Sequence, residues 1–163
     1  MIGEIRRRWT PMVLYQQDAG TLSESFTNEK GEGASESCHN YGSMPAYFLS
    51  SYVLGVRRIG TVNEKQLLIE PRLGDLTFAD GVVCTEFGAV PVFWKKSADG
   101  QSLSFTGSIP EGVKAEIRFP VVSERSTLTL NGKVLSENEV KTEGRWMVVQ
   151  NVSGEYSGSF EAK

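Results

Sequence analysis

The spacing of the hydrophobic residues changes near Gly60, and this change limits the folds that the chain can adopt. Before this point, Ile5, Trp9 and Met12 recur at intervals of three or four residues, as they would on one face of an α-helix. After it, apolar side chains alternate with polar or charged ones, most cleanly in residues 114–119. The sequence therefore predicts a mainly β chain in which helical segments come before a β-domain.

The second part of the chain is predicted to form a β-sandwich. Residues 59–163 contain seven or eight short segments with a two-residue period, and Gly, Pro and Asn residues separate them. Within residues 127–135, Asn131-Gly132 lies between two such segments and favours a type I′ hairpin turn. Short strands of this number with turns at regular spacing are typical of two packed antiparallel sheets. We therefore predict an antiparallel β-sandwich over residues 59–163.

The first part, residues 1–58, is predicted to contain two helices and a long loop. Pro11 lies inside the first helix, so this helix should kink or restart there. Residues 18–42 are rich in Gly, Ser, Glu and Asn, which predicts an irregular loop of a length that is usually functional or disordered. Ser43 is a suitable N-cap for a second helix, and Gly55 can end it.

The composition excludes several classes of protein. The 163 residues, 39% of them hydrophobic, suit one folded domain or a small domain with part of a second. No apolar run approaches the roughly 18 residues of a membrane span, and 17 basic against 20 acidic residues leave no basic surface for nucleic acid. Two cysteines do not make a disulfide framework, and a single histidine argues against a zinc site. No carboxylates are clustered for calcium, so we expect neither a metal ion nor a cofactor.

The first nine residues are charged and have helical character. No apolar segment with a small-residue cleavage site follows them, so they do not form a signal peptide. We expect the chain to begin inside a longer protein. The N-terminus then does not indicate a cellular location.

Four segments carry a resemblance to a known enzyme family. They are residues 37–56 (SCHNYGSMPAYFLSSYVLGV), 68–77 (LIEPRLGDLT), 79–82 (ADGV) and 109–113 (IPEGV). In this order they resemble the C-terminal portion of bacterial α-L-rhamnosidases of glycoside hydrolase family 78, and the similarity runs from about Ile5 to about Pro120. The resemblance implies that residues 1–58 are the end of an (α/α)6 barrel and that residues 59–163 are the β-sandwich that follows it.

The resemblance also implies an activity and a general base. The family removes terminal α-L-rhamnose from glycosides with inversion, which requires two carboxyl groups about 6.5–9.5 Å apart. Thr21-Leu-Ser-Glu24 aligns with a Thr-Thr-Trp-Glu-like motif that supplies the base, so Glu24 is the candidate base that activates water. The general acid belongs to an earlier barrel motif, and no segment of the chain matches it. Without the resemblance, Glu24 would be interpreted as a solvated loop residue.

Two further residues are implied to bind the substrate. Residues 38–41, Cys-His-Asn-Tyr, are similar to a Cys-His-Ala-Trp-like motif of the family. By this similarity His39 contacts sugar hydroxyls, and Tyr41 walls the sugar ring in place of a tryptophan. Ser23, Asn40 and Tyr41 depart from the family pattern, which leaves open that a related glycoside is preferred.

Two hypotheses of function follow. In the first, the chain is the C-terminal portion of an α-L-rhamnosidase, its partners are an upstream barrel domain and a rhamnose-containing glycoside or polysaccharide, and the isolated chain is inactive. In the second, it is a non-enzymatic β-sandwich module that binds carbohydrate or supports a neighbouring catalytic domain. Trp94 and Trp146 lie in strand patterns and are interpreted as core residues, unless one of them faces solvent and can stack on a sugar.

Overall fold

The computed structural model describes residues 1–15, 22–23, 25–26, 40–121 and 126–161. The chain divides into two compact units, Met1–Leu49 and Ser50–Lys163. The first unit is helical and the second contains all the strands that the described residues form.

The helical elements are α1 (Ile2–Tyr15), α2 (Met44–Phe48), two 3-10 helices (Asn40–Ser43 and Val62–Glu64) and a π-helix (Leu49–Val53). α1 runs through Pro11 as one helix, so a restart at this proline is not observed. Ser43 is the N-cap of α2, as predicted, and Pro45 lies in the first turn, where its missing N–H costs no helical hydrogen bond. Gly55, with φ +82°, follows the helical region, and its left-handed backbone is readily adopted by glycine.

The strands found in the described residues are β1 (Val56–Ile59), β2 (Gln66–Ile69), β3 (Phe78–Thr85), β4 (Gly88–Lys96), β5 (Ser102–Ile109), β6 (Lys114–Pro120), β7 (Thr127–Leu130), β8 (Lys133–Val134), β9 (Lys141–Glu143), β10 (Trp146–Val152) and β11 (Gly154–Glu161). One sheet has the order β1-β2-β6-β10-β9, and the other has the order β3-β4-β5-β11-β7-β8. The predicted mainly β architecture with a C-terminal sandwich is confirmed.

One pairing in this sandwich is parallel. β2 and β6 run side by side, with Leu67 opposite Ala115 and Ile69 opposite Ile117, whereas the other strand pairs are antiparallel. The chain between β2 and β6 forms β3, β4 and β5 of the other sheet before it returns. A long crossover of this kind is the connection that parallel neighbours require.

An aromatic cluster joins the two sheets. Trp94 on β4 and Phe105 on β5 belong to the six-stranded sheet, and Phe119 on β6 belongs to the five-stranded sheet. The ring centroid of Phe119 lies 4.5 Å from that of Phe105 and 5.9 Å from that of Trp94. All three side chains are almost completely buried, so Trp94 is a core residue as interpreted from the sequence. Truncating one such ring to alanine costs about 3–5 kcal/mol of stability.

The predicted hairpin turn is present between β7 and β8. Asn131 and Gly132 have φ values of +48° and +76°, as a type I′ turn requires. The Asn131 Oδ1 atom accepts a hydrogen bond of 2.8 Å from the backbone N–H of Ser157, and the Asn131 N–H donates to the Ser157 carbonyl oxygen at 2.7 Å. The turn is therefore bound to β11 as well as to its own strands.

Tyr156 on β11 lies over a glycine on the neighbouring strand. Its register partner on β5 is Gly107, and a Cβ atom at that position would collide with the Tyr156 hydroxyl and with the Pro91 carbonyl oxygen, 2.6 Å away. The Tyr156 hydroxyl is buried and has no hydrogen-bond partner among the described residues. Burial raises the pKa of this phenol.

Replacing Tyr156 by phenylalanine is expected to stabilise the sandwich by about 1 kcal/mol, because a buried hydroxyl without a partner costs desolvation free energy. Urea unfolding of wild type and Tyr156→Phe measures this difference. Tyr47→Phe, at a ring that is largely exposed, is the control and should change the unfolding free energy by less than about 0.5 kcal/mol. A destabilised Tyr156→Phe variant would show instead that the hydroxyl is hydrogen-bonded.

Candidate functional site

The residues predicted to form the site cannot be located from the described coordinates. Glu24 and His39 lie outside the described residues, and for Tyr41 the description covers the backbone of the 3-10 helix without its side chain. Their assembly into one site therefore remains a prediction. The geometry of the described residues beside them can be examined directly.

Two short segments next to these positions are in close contact. Ser23 is fully buried, and its carbonyl oxygen lies 2.7 Å from the point that a Cβ atom on Gly42 would occupy. The Leu22 Cβ atom lies at the same distance from that point. Since real Cβ atoms do not tolerate such contacts, the backbones can approach this closely only because residue 42 is glycine.

α1 binds both segments. The Trp9 indole N–H donates a hydrogen bond of 2.7 Å to the Gly42 carbonyl oxygen, and the Trp9 ring meets Phe26 edge to face with centroids 4.6 Å apart. The Arg8 guanidinium lies 5.0 Å from the centre of the Phe26 ring. Sequence analysis did not identify Trp9, Phe26 or Gly42 as part of a site region, because no local pattern signals a contact between positions so far apart in the chain.

A buried carboxylate forms the main polar cluster of the sandwich. Glu70, which follows β2, is almost fully buried, and its Oε1 atom accepts hydrogen bonds from Arg72 Nη2 at 2.6 Å and from Arg57 Nη2 at 3.2 Å. Its Oε2 atom lies 3.8 Å from Arg118 Nη1. Arg118 also pairs with Glu116, with Nε 2.6 Å from Oε1. Because each charge has a partner, the cluster avoids the cost of an isolated buried ion.

The cluster also holds the segment before β1. The Arg57 Nη1 atom donates to the Ser51 carbonyl oxygen at 2.7 Å, and the backbone N–H of Arg72 donates to the Tyr52 carbonyl oxygen at 2.8 Å. The guanidinium groups of Arg57 and Arg72 lie 4.9 and 5.8 Å from the centre of the Tyr52 ring, within cation–π range. The carboxylate of Glu70 therefore positions two arginines that together fix Ser51 and Tyr52.

Glu70 is unsuited to act as a general acid. Burial alone would raise its pKa, but hydrogen bonds from Arg72 and Arg57 outweigh burial and hold the pKa below its usual value. A glycosidase acid must instead have a raised pKa, so that it carries a proton at neutral pH. Every shifted carboxyl pKa within the described residues is shifted downward: Glu4, Glu64, Glu70, Asp99 and Glu139.

A cavity of about 400 Å³ opens in the sandwich beside Trp146. Trp146 is the first residue of β10 and is only partly buried, and the Arg145 guanidinium lies 5.4 Å from its ring centre. Unlike Trp94, Trp146 is thus not a pure core residue. Because its ring is partly exposed to solvent, Trp146 could stack on a sugar, whereas the buried ring of Trp94 could not.

The described part of the chain contains neither a metal-holding cluster nor a membrane-spanning helix. No group of three or more His, Cys, Asp or Glu side chains in it could hold a metal ion. None of the helices described is long and apolar enough to span a membrane.

A family model described as the bacterial alpha-L-rhamnosidase C-terminal domain matches residues 61–143, just over half of the chain. Solved structures of two α-L-rhamnosidases are among those that are similar to the chain. An α-L-rhamnosidase from Dictyoglumus thermophilum gives a TM-score of 0.72 at 24% identity and covers 92% of this chain. Streptomyces avermitilis α-L-rhamnosidase, solved in complex with L-rhamnose, gives a TM-score of 0.60 at 23% identity and covers 83% of it.

The chain corresponds to a small part of these proteins, because the matches cover 17% and 12% of the two solved chains. A comparison with curated proteins gives no match. The matches confirm the resemblance to the C-terminal portion of bacterial α-L-rhamnosidases that the sequence predicted. At these identities the solved structures establish the fold alone.

Glu70→Gln is expected to destabilise the sandwich by about 2–4 kcal/mol at neutral pH, because it leaves partly buried arginines without their carboxylate. The matched control is Glu86→Gln, which removes an exposed ion pair between Glu86 Oε1 and Arg58 Nε of 3.0 Å and should cost less than about 1 kcal/mol. Urea unfolding gives both values.

The same pair of variants tests the pH dependence. A carboxyl whose pKa is lowered on folding stabilises the protein above its unfolded pKa, and the stability is lost as the pH falls through the folded value. The difference between wild type and Glu70→Gln should therefore shrink as the pH falls below about 4.3, the pKa of an unperturbed glutamate. A difference that is independent of pH would contradict the assigned role of the charge.

Proposed function

Because the chain belongs to the bacterial α-L-rhamnosidase C-terminal domain family, we propose that it is the C-terminal portion of a glycoside hydrolase that removes terminal α-L-rhamnose from glycosides or polysaccharides. The proposed boundary near residue 59 lies within β1 (Val56–Ile59), which already pairs with β2 of the sandwich. The residues before β1 are then the end of an (α/α)6 barrel, and residues 59–163 belong to the β-sandwich that follows it. The family match carries the proposal. The small share of the solved rhamnosidases that the chain covers agrees with an upstream barrel domain as its partner.

In the proposed reaction Glu24 is the general base. An acid supplied by the upstream barrel donates a proton to the glycosidic oxygen as the bond between C1 and that oxygen breaks. A water molecule attacks C1 from the opposite face, Glu24 takes the proton that this water loses, and the configuration at C1 is inverted. His39 binds sugar hydroxyls, and Tyr41 forms a wall against the ring.

The contacts around Gly42 support one common site for these residues. The segment that contains Leu22 and Ser23 packs on Gly42, the residue after Tyr41, and the Trp9 indole N–H donates a hydrogen bond to the Gly42 carbonyl oxygen. Neighbours of the proposed base and of the proposed substrate-binding residues are therefore adjacent in space. Ser23, where an aromatic residue is common in the family, is fully buried, so this departure affects packing. Because Ser23, Asn40 and Tyr41 all depart from the family pattern, a related glycoside is the alternative substrate.

Glu24→Gln in the full-length enzyme should lower kcat by about 10²–10⁴-fold, the contribution typical of a general base. The release of p-nitrophenol from p-nitrophenyl α-L-rhamnoside measures this rate. Glu32→Gln, in the same Gly- and Ser-rich stretch, is the matched control and should retain the wild-type rate.

A near-normal rate for Glu24→Gln would refute the assignment of the base. An unchanged thermal unfolding midpoint for the variant shows that a low rate is not caused by misfolding. In wild type, proton NMR of the first product should show β-L-rhamnose, because the mechanism inverts the anomeric centre. α-L-rhamnose as the first product would contradict the mechanism.

The isolated 163-residue chain is expected to release no p-nitrophenol above the buffer rate, because it lacks the general acid and most of the barrel. The full-length enzyme at the same molar concentration is the positive control. Turnover by the isolated chain would show that both carboxyl groups lie within it and would contradict the proposed division of the site.

A second candidate function is favoured by the cavity beside Trp146. In this hypothesis the sandwich is a non-enzymatic module that binds carbohydrate or supports the catalytic domain. A half-buried tryptophan in a concave surface suits contact with a sugar ring. Calorimetric titration of the chain with L-rhamnose and rhamnose-bearing glycosides tests whether the module binds rhamnosides, and the absence of heat at millimolar sugar would exclude a rhamnose-binding site.

A further inference from the structure

The charges around the Trp146 cavity differ from those of the chain as a whole. Three cationic side chains, Arg72, Lys96 and Arg145, line this cavity, and none of its described lining residues is acidic. The complete chain has a net charge of −3. A positive cavity in an acidic protein attracts anionic ligands selectively.

Arg145 is the cation best placed to bind a ligand. Arg72 is held by Glu70, with Nη2 and Oε1 2.6 Å apart, and the Lys96 ammonium donates to the Gly74 carbonyl oxygen at 2.6 Å. Arg145 is exposed and forms no ion pair with the described residues; its contact there is with the Trp146 ring, 5.4 Å from the guanidinium carbon. A planar guanidinium can bind a carboxylate through two parallel hydrogen bonds.

The remaining surface of the cavity suits a sugar ring. Its apolar lining includes the buried residues Leu73, Leu103 and Phe160, together with the partly exposed ring of Trp146. Gln101 and Ser102 supply polar groups at the same cavity. Phosphate would gain little from an apolar and aromatic lining, and a neutral sugar would not use the charge of the Arg145 guanidinium, which has no ion pair among the described residues. A saccharide that carries a carboxylate would use both the guanidinium and the apolar, aromatic lining.

We propose that the cavity beside Trp146 binds a uronic acid residue of a saccharide. Arg145 pairs with the sugar carboxylate, Trp146 contacts the C–H face of the ring, and Gln101 and Ser102 bind hydroxyl groups. The inference rests on the second candidate function, since it names the class of sugar that the sandwich binds. It is independent of the roles of Glu24, His39 and Tyr41.

Proton–nitrogen NMR of the 163-residue chain tests the proposal, with the indole N–H of Trp146 as the reporter. Trp146→Phe identifies this resonance among the three tryptophans. The ligands are D-galacturonate, D-galactose, acetate and L-rhamnose, each up to about 20 mM, which covers dissociation constants in the millimolar range. Galacturonate should shift the Trp146 resonance with saturation, whereas galactose and acetate should bind at least tenfold more weakly.

Arg145→Gln should weaken galacturonate binding at least tenfold, and Arg58→Gln should leave it unchanged. Both variants remove one positive charge, but Arg58 lies on β1 and pairs with Glu86 instead of lining the cavity. Comparing the two variants therefore distinguishes the loss of a direct contact with the ligand from the effect of a changed net charge. A wild-type thermal unfolding midpoint for Arg145→Gln shows that the fold is retained.

Four binding results would overturn the proposal. Equal binding of galactose shows that the carboxylate is not recognised, and equal binding of acetate shows an anion site without a sugar site. No shift with either galacturonate or L-rhamnose shows that the cavity binds neither sugar. Binding of L-rhamnose without binding of galacturonate would refute the acidic-sugar inference and leave the carbohydrate-binding module in place. None of these results bears on rhamnoside hydrolysis by the full-length enzyme.

Discussion

The contact of Phe119 with Phe105 and Trp94 is the interaction on which the sandwich depends. A β-sheet with one apolar face must bury that face against another layer, and these three rings are where the two sheets meet. The strands that carry them all lie inside their sheets, with a neighbour on each side, so the cluster sets the separation of the layers for the strands around it. Features at the rim, including the Trp146 cavity and the Asn131-Gly132 turn, are positioned by this centre.

The Glu70 cluster contributes to the fold by fixing the position of the chain and not by adding net stability. Its charges are costly to bury, and apolar residues of similar volume can replace such clusters without loss of stability. The cluster fixes positions: the carboxylate orients the guanidinium groups of Arg57 and Arg72. The Arg57 guanidinium binds the Ser51 carbonyl oxygen, and both guanidinium groups lie on the Tyr52 ring. The chain is thereby held at one fixed position as it enters β1. Apolar packing alone would define that position less sharply.

Local features of the sequence predicted local structure well. The Asn131-Gly132 turn, the cap at Ser43 and the two-residue period of β6 all follow from neighbouring residues. The parallel pairing of β2 with β6 could not be predicted, because it joins segments separated by three strands of the other sheet. The same limit applies to the contact of Trp9 with Gly42 and to the charge of the Trp146 cavity, whose residues come from distant turns. Glu24, His39 and Tyr41 remain predictions that rest on the family resemblance, since an isolated glutamate or histidine in a loop has no distinctive pattern.

The position of β11 has a consequence for how the protein can be made. Although β11 is the last strand in the described sequence, it lies inside its sheet, with β5 on one side and β7 on the other. During synthesis β5 and β7 leave the ribosome before β11, their shared neighbour, so one edge of β5 stays open until β11 has been made. Unpaired edges are where nascent chains associate wrongly. A chain that ends before β11 would thus leave this edge of β5 exposed, and the six-stranded sheet can close only once β11 is present.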